Sequence, residues 1–464
     1  MTVATALVYL LAAALFIVGL KFLSSPRGAR RGNTVAAAGM VLAVAWTVVL
    51  LRDTFTAAGI VICVLGVIIG AVAGTVGARR VRMTAMPQMV ALFNGVGGGA
   101  AALVAVSELL GGHGSRPEFQ VGFPSVFAII VGGISFAGSA IAFAKLQELM
   151  TGTPITYPGQ QVVNGLLAAA IVALAVVLLA LTGSPVVFTA MLALALVLGA
   201  AFVLPIGGAD MPVVISLLNA FTGLAVAASG FVVDNFALIV AGTLVGASGT
   251  LLTKLMSDAM GRSLANVLFG AFGQVHVAAG GEAGADGRSV RAGSSDDIGT
   301  MLAYSRSVII VPGYGLAVAQ AQHAVRELAD LLEKRGVEVN YAIHPVAGRM
   351  PGHMNVLLAE ANVPYEQLRE MDEINDDFKR ADVALVVGAN DVVNPAARSS
   401  PGSPIYGMPI LNADQAHNIV FLKRSMRPGF AGIDNDLLYD PKTIMLFGDA
   451  KESLTKLVSA VKAA

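Results

Sequence analysis

Nine apolar runs, each long enough to cross about 30 Å of hydrocarbon, precede residue 254 of this 464-residue chain. They lie at roughly 2–20, 35–51, 55–77, 84–110, 123–144, 162–182, 186–204, 209–229 and 233–253. Inside a bilayer every backbone N–H and C=O must be satisfied within the protein, so such segments fold as helices. With 56% hydrophobic and only 13% charged residues, the composition excludes an ordinary soluble globular protein. A formal net charge of zero gives no footing for nucleic acid. Cys63 is the only cysteine, which excludes an intrachain disulfide and any cysteine-cluster metal site. Its apolar neighbours predict an inert packed thiol. The N-terminus is apolar from Val3 to Leu20 with no charged stretch before it, which predicts a retained first span rather than a cleaved signal.

Basic residues orient the spans. The loops after odd-numbered spans hold Lys21, Arg27, Arg30, Arg31, Arg79, Arg80, Arg82, Lys145, Lys254 and Arg262, whereas those after even-numbered spans hold only Arg52 and Arg116. The positive-inside rule therefore predicts an N-terminus outside and a cytoplasmic C-terminal domain. The spans are rich in small residues, among them Gly95, Gly97, Gly98, Gly99, Gly132, Gly133, Gly246 and Gly249, which predicts close helix packing in a bundle or oligomer.

Polar groups at membrane depth are costly unless partnered, so they tend to face one another or a water-filled path. Asn94 falls about ten residues into the fourth span, ~15 Å along a helix rising about 1.5 Å per residue. Asn219 has similar depth in the eighth span, Asp210 stands at that span's cytoplasmic mouth, and Ser248 lies in the ninth near the same mouth. These four residues are the candidate water-filled path, and the candidate proton pathway if protons cross here, with interhelical hydrogen bonding alone as the plainer alternative. No span carries a histidine, so a proton crossing here needs a titrating group from a partner, or ordered water.

The division expected from composition is a membrane domain over 1–262, a Gly/Ala/Ser-rich flexible linker over 263–299, and a soluble α/β domain over 300–464. In the last, Ser307–Val311, Val337–Ile343, Val383–Val387, Ile419–Leu422 and Ile444–Phe447 read as buried strands, with an amphipathic helix over Leu316–Arg335 ended by Gly336. Strand and helix alternating in this way predict a Rossmann-like, doubly wound parallel sheet. The turn after the first strand, Gly313-Tyr314-Gly315-Leu316-Ala317-Val318, offers two glycines for close approach of a pyrophosphate, with Val318 where the dinucleotide fingerprint has its third. No acid follows the second strand, where Ile343-His344-Pro345 stands, while Lys423-Arg424-Ser425 follows another strand. An acid would hold a ribose 2′-hydroxyl and cations suit a 2′-phosphate, so the pattern favours NADP over NAD.

Several stretches are long enough to compare with a family. GYGLAVAQAQ (Gly313–Gln322), HPVAGRMPGHMNVLLAEANVPY (His344–Tyr365), EMDEIN (Glu370–Asn375), GANDVVNPAA (Gly388–Ala397) and KRSMRPGFAG (Lys423–Gly432) resemble the NADP(H)-binding domain of proton-translocating nicotinamide nucleotide transhydrogenases. MPQMVALFNG (Met86–Gly95) and IGGADMPVVISLLNAFTG (Ile206–Gly223) are similar to their membrane part. The likeness covers essentially the whole chain, as a bacterial β subunit. It implies NADP(H) on this chain, NAD(H) on a separate α component that adds membrane helices, and residence in a bacterial inner membrane. Hydride transfer would then be coupled to inward proton movement, in a dimer of complete units. It also implies that Gly313, Tyr314, Gly315 and Val318 line the pyrophosphate, and that Arg349 and Lys423-Arg424-Ser425 face the NADP side. Gly388, Asn390, Asp391 and Gly429-Phe430 would close over the nucleotide, with Asp391 responding to proton occupancy and no residue acting as acid or base on the hydride. Many relatives carry a histidine at the position of Asn94, so that role does not transfer. Two rivals stand beside this reading: a channel or transporter regulated by an NADP-sensing domain, and a membrane-anchored dehydrogenase, for which His344 and His353 are the only acid–base candidates.

Overall fold

A computed structural model describes residues 3–23, 25, 28–52, 56–81, 85–111, 117–151, 155–181, 183–207, 210–259, 290–349, 352–400, 403, 405–429 and 431–464. The chain divides into two compact units, Met1–Thr253 and Lys254–Ala464.

Among the described residues of the first, nine helices have the length and apolarity to cross a membrane: α1 (Val3–Leu23), α2 (Ala29–Leu51), α3 (Ala57–Arg80), α4 (Met86–Gly111), α5 (Phe119–Leu146), α6 (Gln160–Ala180), α7 (Pro185–Val203), α8 (Met211–Val232) and α9 (Phe236–Ala259). Each expected span corresponds to one helix, with ends shifted by a few residues. The largest shifts, of six residues, are at the end of α9 and the start of α2, which begins at Ala29 and takes in Arg30 and Arg31; both are exposed, and a helix end at the interface tolerates such side chains. Packing within the unit is uneven. α8 buries most of its length, including Met211, Val214, Leu218, Ala225 and Val232, whereas α3 buries no residue at all. Cys63 is on α3 and exposed, so the expected packed thiol is corrected. An apolar run establishes that a helix belongs in the membrane without establishing that the chain itself covers it.

Where helices do meet, glycine sets the distance. A Cβ on Gly223 of α8 would fall 2.4 Å from Gly246 N of α9, and one on Gly199 of α7 would fall 2.4 Å from Ile134 O of α5. Lipid offers no hydrophobic drive between helices, so this backbone-to-backbone approach is what holds them.

The second unit carries a six-stranded, all-parallel sheet: β1 (Ser307–Pro312), β2 (Glu338–Ile343), β3 (Leu368–Glu370), β4 (Val383–Val387), β5 (Asn418–Lys423) and β6 (Thr443–Phe447), in spatial order β3-β2-β1-β4-β5-β6. It is the doubly wound sheet expected, with its topological switch between β1 and β4. All five residues of β4 are buried, as a central strand covered on both faces requires. Burying each valine or leucine there contributes about 1.5–3 kcal/mol. β3 was absent from the sequence reading because three residues, none fully buried, carry no readable pattern.

Helices α10 (Ser295–Ala303), α11 (Tyr314–Val318), α12 (Gln322–Lys334), α13 (His353–Glu360) and α14 (Ala450–Ala463) accompany the sheet. α12 buries Val325, Leu328, Ala329 and Leu332, a spacing of three and four that puts one apolar stripe on the core. Gly336, at φ +85°, follows its end. The single helix expected over Leu316–Arg335 is instead two, parted at 319–321, where Gln320 sits at φ +51°. The expected linker also ends early: α10 begins at Ser295, with Ser294 Oγ accepting from Asp297 N, an N-cap that serine supplies well. Residues 263–289 of that linker lie outside the described residues.

Candidate functional site

In an open parallel sheet, ligands bind beyond the carboxyl ends of the strands at the switch point. The loops that leave β1, β2, β4 and β5 carry the soluble-domain candidates of the sequence, apart from Val318 at the end of α11. Gly313 and Gly315 follow β1, and Gly388, Asn390 and Asp391 follow β4. A Cβ on Gly313 would fall 2.4 Å from Ala389 Cα, one on Gly315 2.7 Å from Gly388 Cα, and one on Gly388 2.3 Å from Leu316 N. Gly388 also has φ +70°. These glycines therefore interlock two loops backbone to backbone. Val318 is 45% exposed.

Charged groups converge on the same end of the sheet. Lys423 Nζ donates to Asn390 Oδ1 at 3.0 Å, and Asn390 Nδ2 donates to Asp391 Oδ1 at 3.0 Å. The other Asp391 oxygen accepts from Ala431 N at 2.9 Å, so one carboxylate ties the β4 loop to the loop beyond β5. Gly429 is needed there, since a Cβ would stand 2.5 Å from both Asn390 Nδ2 and Asp391 Oδ1. Burial pulls the Lys423 ammonium below its ordinary pKa, against the opposing charges of Asp391 and Asp434. Arg424 pairs with Asp449 at 2.9 Å, and Ser425 is exposed beside it. The Arg349 guanidinium lies 4.4 Å from the centroid of the Tyr314 ring, a cation–π distance. Phe430 lies outside the described residues.

The two histidines that a dehydrogenase would need are not available to a substrate. His344, 1% exposed, has Nε2 2.8 Å from Pro409 O while Nδ1 accepts from Val346 N. His353, also 1% exposed, has Nδ1 accepting from Arg349 N. Burial pulls both pKa values down to about 4, so neither is poised for proton transfer near neutral pH.

In the membrane unit the four candidate positions separate. Asn94 is buried and donates from Nδ2 to Ser139 Oγ at 2.9 Å and Ser135 Oγ at 3.3 Å on α5. Ser135 Oγ lies 2.8 Å from Leu218 O and 2.7 Å from Thr222 Oγ1, and Thr222 Oγ1 lies 3.3 Å from Asn94 O, so two hydroxyl protons serve three hydrogen-bonding contacts. One polar cluster thus stitches α4, α5 and α8 together, and Asn94 Oδ1 is buried in it with no partner among the described residues. Asn219 is half-buried one turn before Thr222. Asp210 flanks the start of α8, its carbonyl accepting from Val213 N and Val214 N. Ser248 is exposed and donates to Val245 O of its own helix at 3.1 Å, which removes it from the cluster.

Ser135, Ser139 and Thr222 were missed in the sequence reading. The i,i+4 spacing of Ser135 and Ser139 among Gly132, Gly133 and Gly138 was the available signal. Lys145, counted only as a loop charge, is buried at the end of α5, where Nζ donates to Leu204 O at 2.5 Å and Ile206 O at 2.8 Å. A cation there satisfies carbonyls at the C-terminal end of α7.

Comparison with known proteins agrees with both halves. Residues 5–460 match the family described as NAD(P) transhydrogenase beta subunit. The NAD(P) transhydrogenase subunit beta of Rhodospirillum rubrum is 51% identical over 460 residues, covering 98% of each chain, and the protein of a named strain of that species gives the same figures. With the family matched across both the helical bundle and the parallel-sheet domain, the chain belongs to the NAD(P) transhydrogenase β-subunit family of membrane oxidoreductases.

Proposed function

We propose that this chain is the NADP(H)-binding and membrane subunit of a proton-translocating transhydrogenase, and that it couples hydride transfer between NAD(H) and NADP(H) to inward proton movement. In this reading an α partner holds NAD(H) and supplies further membrane helices, and complete units pair as a dimer. The enzyme resides in a bacterial inner membrane with the N-terminus outside and the nucleotide domain in the cytoplasm.

The observation that carries the nucleotide assignment is the convergence of Gly313, Gly315 and Gly388 with Lys423, Arg424 and Arg349 beyond the carboxyl ends of one parallel sheet. The residues fit NADP(H). Three cations suit a dinucleotide with an extra phosphate, and the residue after β2 is a saturated histidine rather than an acid. Gly313, Tyr314, Gly315 and Val318 would lie along the pyrophosphate, Arg349, Lys423, Arg424 and Ser425 on the 2′-phosphate side, and Gly388, Asn390, Asp391, Gly429 and Phe430 over the nucleotide. When bound, the cofactor supplies the nicotinamide that gives or takes hydride. The chain's own work is binding and positioning, for which no acid–base pair is required.

For the membrane unit we place the proton route at Asn94, with Asp210 at the start of α8 and Asn219 within it, and a titrating group contributed by the partner; Ser248, turned outward on α9, stands beside this route. One charge crossing 100 mV is worth about 2.3 kcal/mol, which shifts an equilibrium about fortyfold. Asp391, tied to both Asn390 and Ala431, is the residue suited to pass proton occupancy to the nucleotide loops by changing their closure.

The test is hydride exchange between NADH and an NADP analogue in proteoliposomes, with the chain alone and with its α partner, while internal pH is recorded. Exchange and a pH change that arise together, and only with the partner, are expected. NADP binding without exchange in either case would favour a transporter with an NADP-sensing domain.

A further inference from the structure

His344 and His353 are equally buried, yet their rings are used differently. Both nitrogens of His344 have partners. At His353, Nδ1 accepts from Arg349 N at 2.9 Å, which puts the proton of the neutral ring on Nε2. That Nε2 is buried and has no partner among the described residues. Leaving a buried donor unsatisfied is unfavourable, so what this ring contributes comes from its other nitrogen and its faces. The backbone is shaped around it: Gly348 has φ +119°, and a Cβ there would stand 2.5 Å from His353 Nδ1. The ring centroid is 6.0 Å from that of Tyr314, while the Arg349 guanidinium lies 4.4 Å from the same tyrosine centroid. His353 thus holds the backbone of Arg349 and flanks the ring on which that residue's side chain rests.

We propose that His353 is a positioning residue of the nucleotide site: through Nδ1 it fixes the Arg349 loop, and with its ring it backs Tyr314, so that the guanidinium is held beside the phosphate loop before the nucleotide arrives. The inference rests on the reading of Gly313–Gly315, Arg349 and Lys423–Ser425 as the NADP(H) site. It requires the ring to be an acceptor at neutral pH. Burial, with the Arg349 charge second, keeps it so. A prepositioned cation raises affinity because less order is lost on binding.

The test uses the full chain with its partner and three substitutions: His353→Asn, whose Oδ1 takes the place of Nδ1; His353→Gln, whose amide reaches the Nε2 position; and His353→Phe, which keeps ring volume and neither nitrogen. NADPH affinity by nucleotide fluorescence, KM for NADP, kcat and thermal unfolding are measured for each. Gln and Phe are expected to raise Kd and KM about tenfold, the scale of one hydrogen bond, with kcat within about twofold, while Asn stays within about threefold of the native protein. The inference is overturned if all three behave alike, or if Gln retains affinity and Asn loses it. If the Phe variant does not fold, the Asn and Gln pair still decides. Arg349→Ala and Lys423→Ala run alongside. If neither weakens NADPH binding, the site reading itself fails. If both do and the His353 series is flat, only the positioning role fails.

Discussion

Glycine brings backbones together in both units, to different ends. In the membrane unit Gly199, Gly223 and Gly242 let long helices lie against one another, each with a would-be Cβ 2.4 Å from a neighbour's backbone. In the α/β unit Gly313, Gly315 and Gly388 interlock two loops at the switch point of a sheet already held by buried valine, leucine and isoleucine. The polar groups divide the same way. Around Asn94 they are neutral amides and hydroxyls bonded to each other. Beyond β4 and β5 they are charges that tie loops together at the surface. Where lipid surrounds the helices, close approach is itself the stabilising interaction, and a buried charge such as Lys145 sits at a helix end where carbonyls satisfy it. Where water is available, the apolar sheet supplies stability and leaves loops and charges for recognition.

That contrast can be broken most severely at Gly388. Gly388→Ala puts a Cβ 2.3 Å from Leu316 N on a residue at φ +70°, and is expected to abolish NADPH binding, more than about a hundredfold, with a marked fall in unfolding temperature. Retained affinity, followed by nucleotide fluorescence, would show that the loops are not interlocked. Gly70→Ala on α3, with open space around it, is the control expected to change nothing.

Acid should sharpen the comparison next, because among the described residues the buried histidines belong to the α/β unit alone. His344 and His353 have native pKa values of about 4 against an ordinary 6.5. The unfolded chain therefore binds more protons between those limits. Their contribution is fully present above about pH 6.5 and is lost as pH falls through about 4, up to about 3 kcal/mol for each. Thermal unfolding followed through the sheet's circular dichroism should fall steeply across that window. A flat profile would mean that the rings are not buried neutral.

A smaller effect is expected within the membrane. Asn94→Ala removes two donated bonds but also a buried, unpartnered oxygen, so the stability cost should be near 1 kcal/mol. Proton coupling should fall at least tenfold while nucleotide binding holds. Equal loss of both, measured as acidification per hydride transferred, would reduce the cluster to packing. Smallest of all is Ser248→Ala, expected to change coupling by less than about twofold, since that hydroxyl bonds its own helix and faces outward. A large loss would put Ser248 against a partner chain.

Much of the architecture was legible because it rests on period and length. Apolar runs announced each membrane helix, and β1, β2, β4, β5 and β6 were read within a residue of their ends. What escaped depended on partners far away in sequence. β3 has only three residues. The break at Gln320 is a backbone twist that no side-chain pattern encodes. At the nucleotide end the candidate residues were nameable from motifs, but the Asp391–Ala431 tie and the Arg349–Tyr314 stack were not, since each joins residues from separate loops. Ser135, Ser139 and Thr222 were hidden for the same reason: a lone hydroxyl in a helix has meaning only once its neighbours across the bundle are known.

The interlock at the switch point has a mechanical consequence. With Gly315 N bonded to Gly388 O at 2.9 Å, Gly313 N bonded to Val387 O at 2.9 Å, and no space for a methyl group between the strands' exits, the two loops behave as one lever. A displacement that starts at Asp391 cannot be absorbed locally. Such a displacement is passed to the backbone beside Tyr314 through these two bonds.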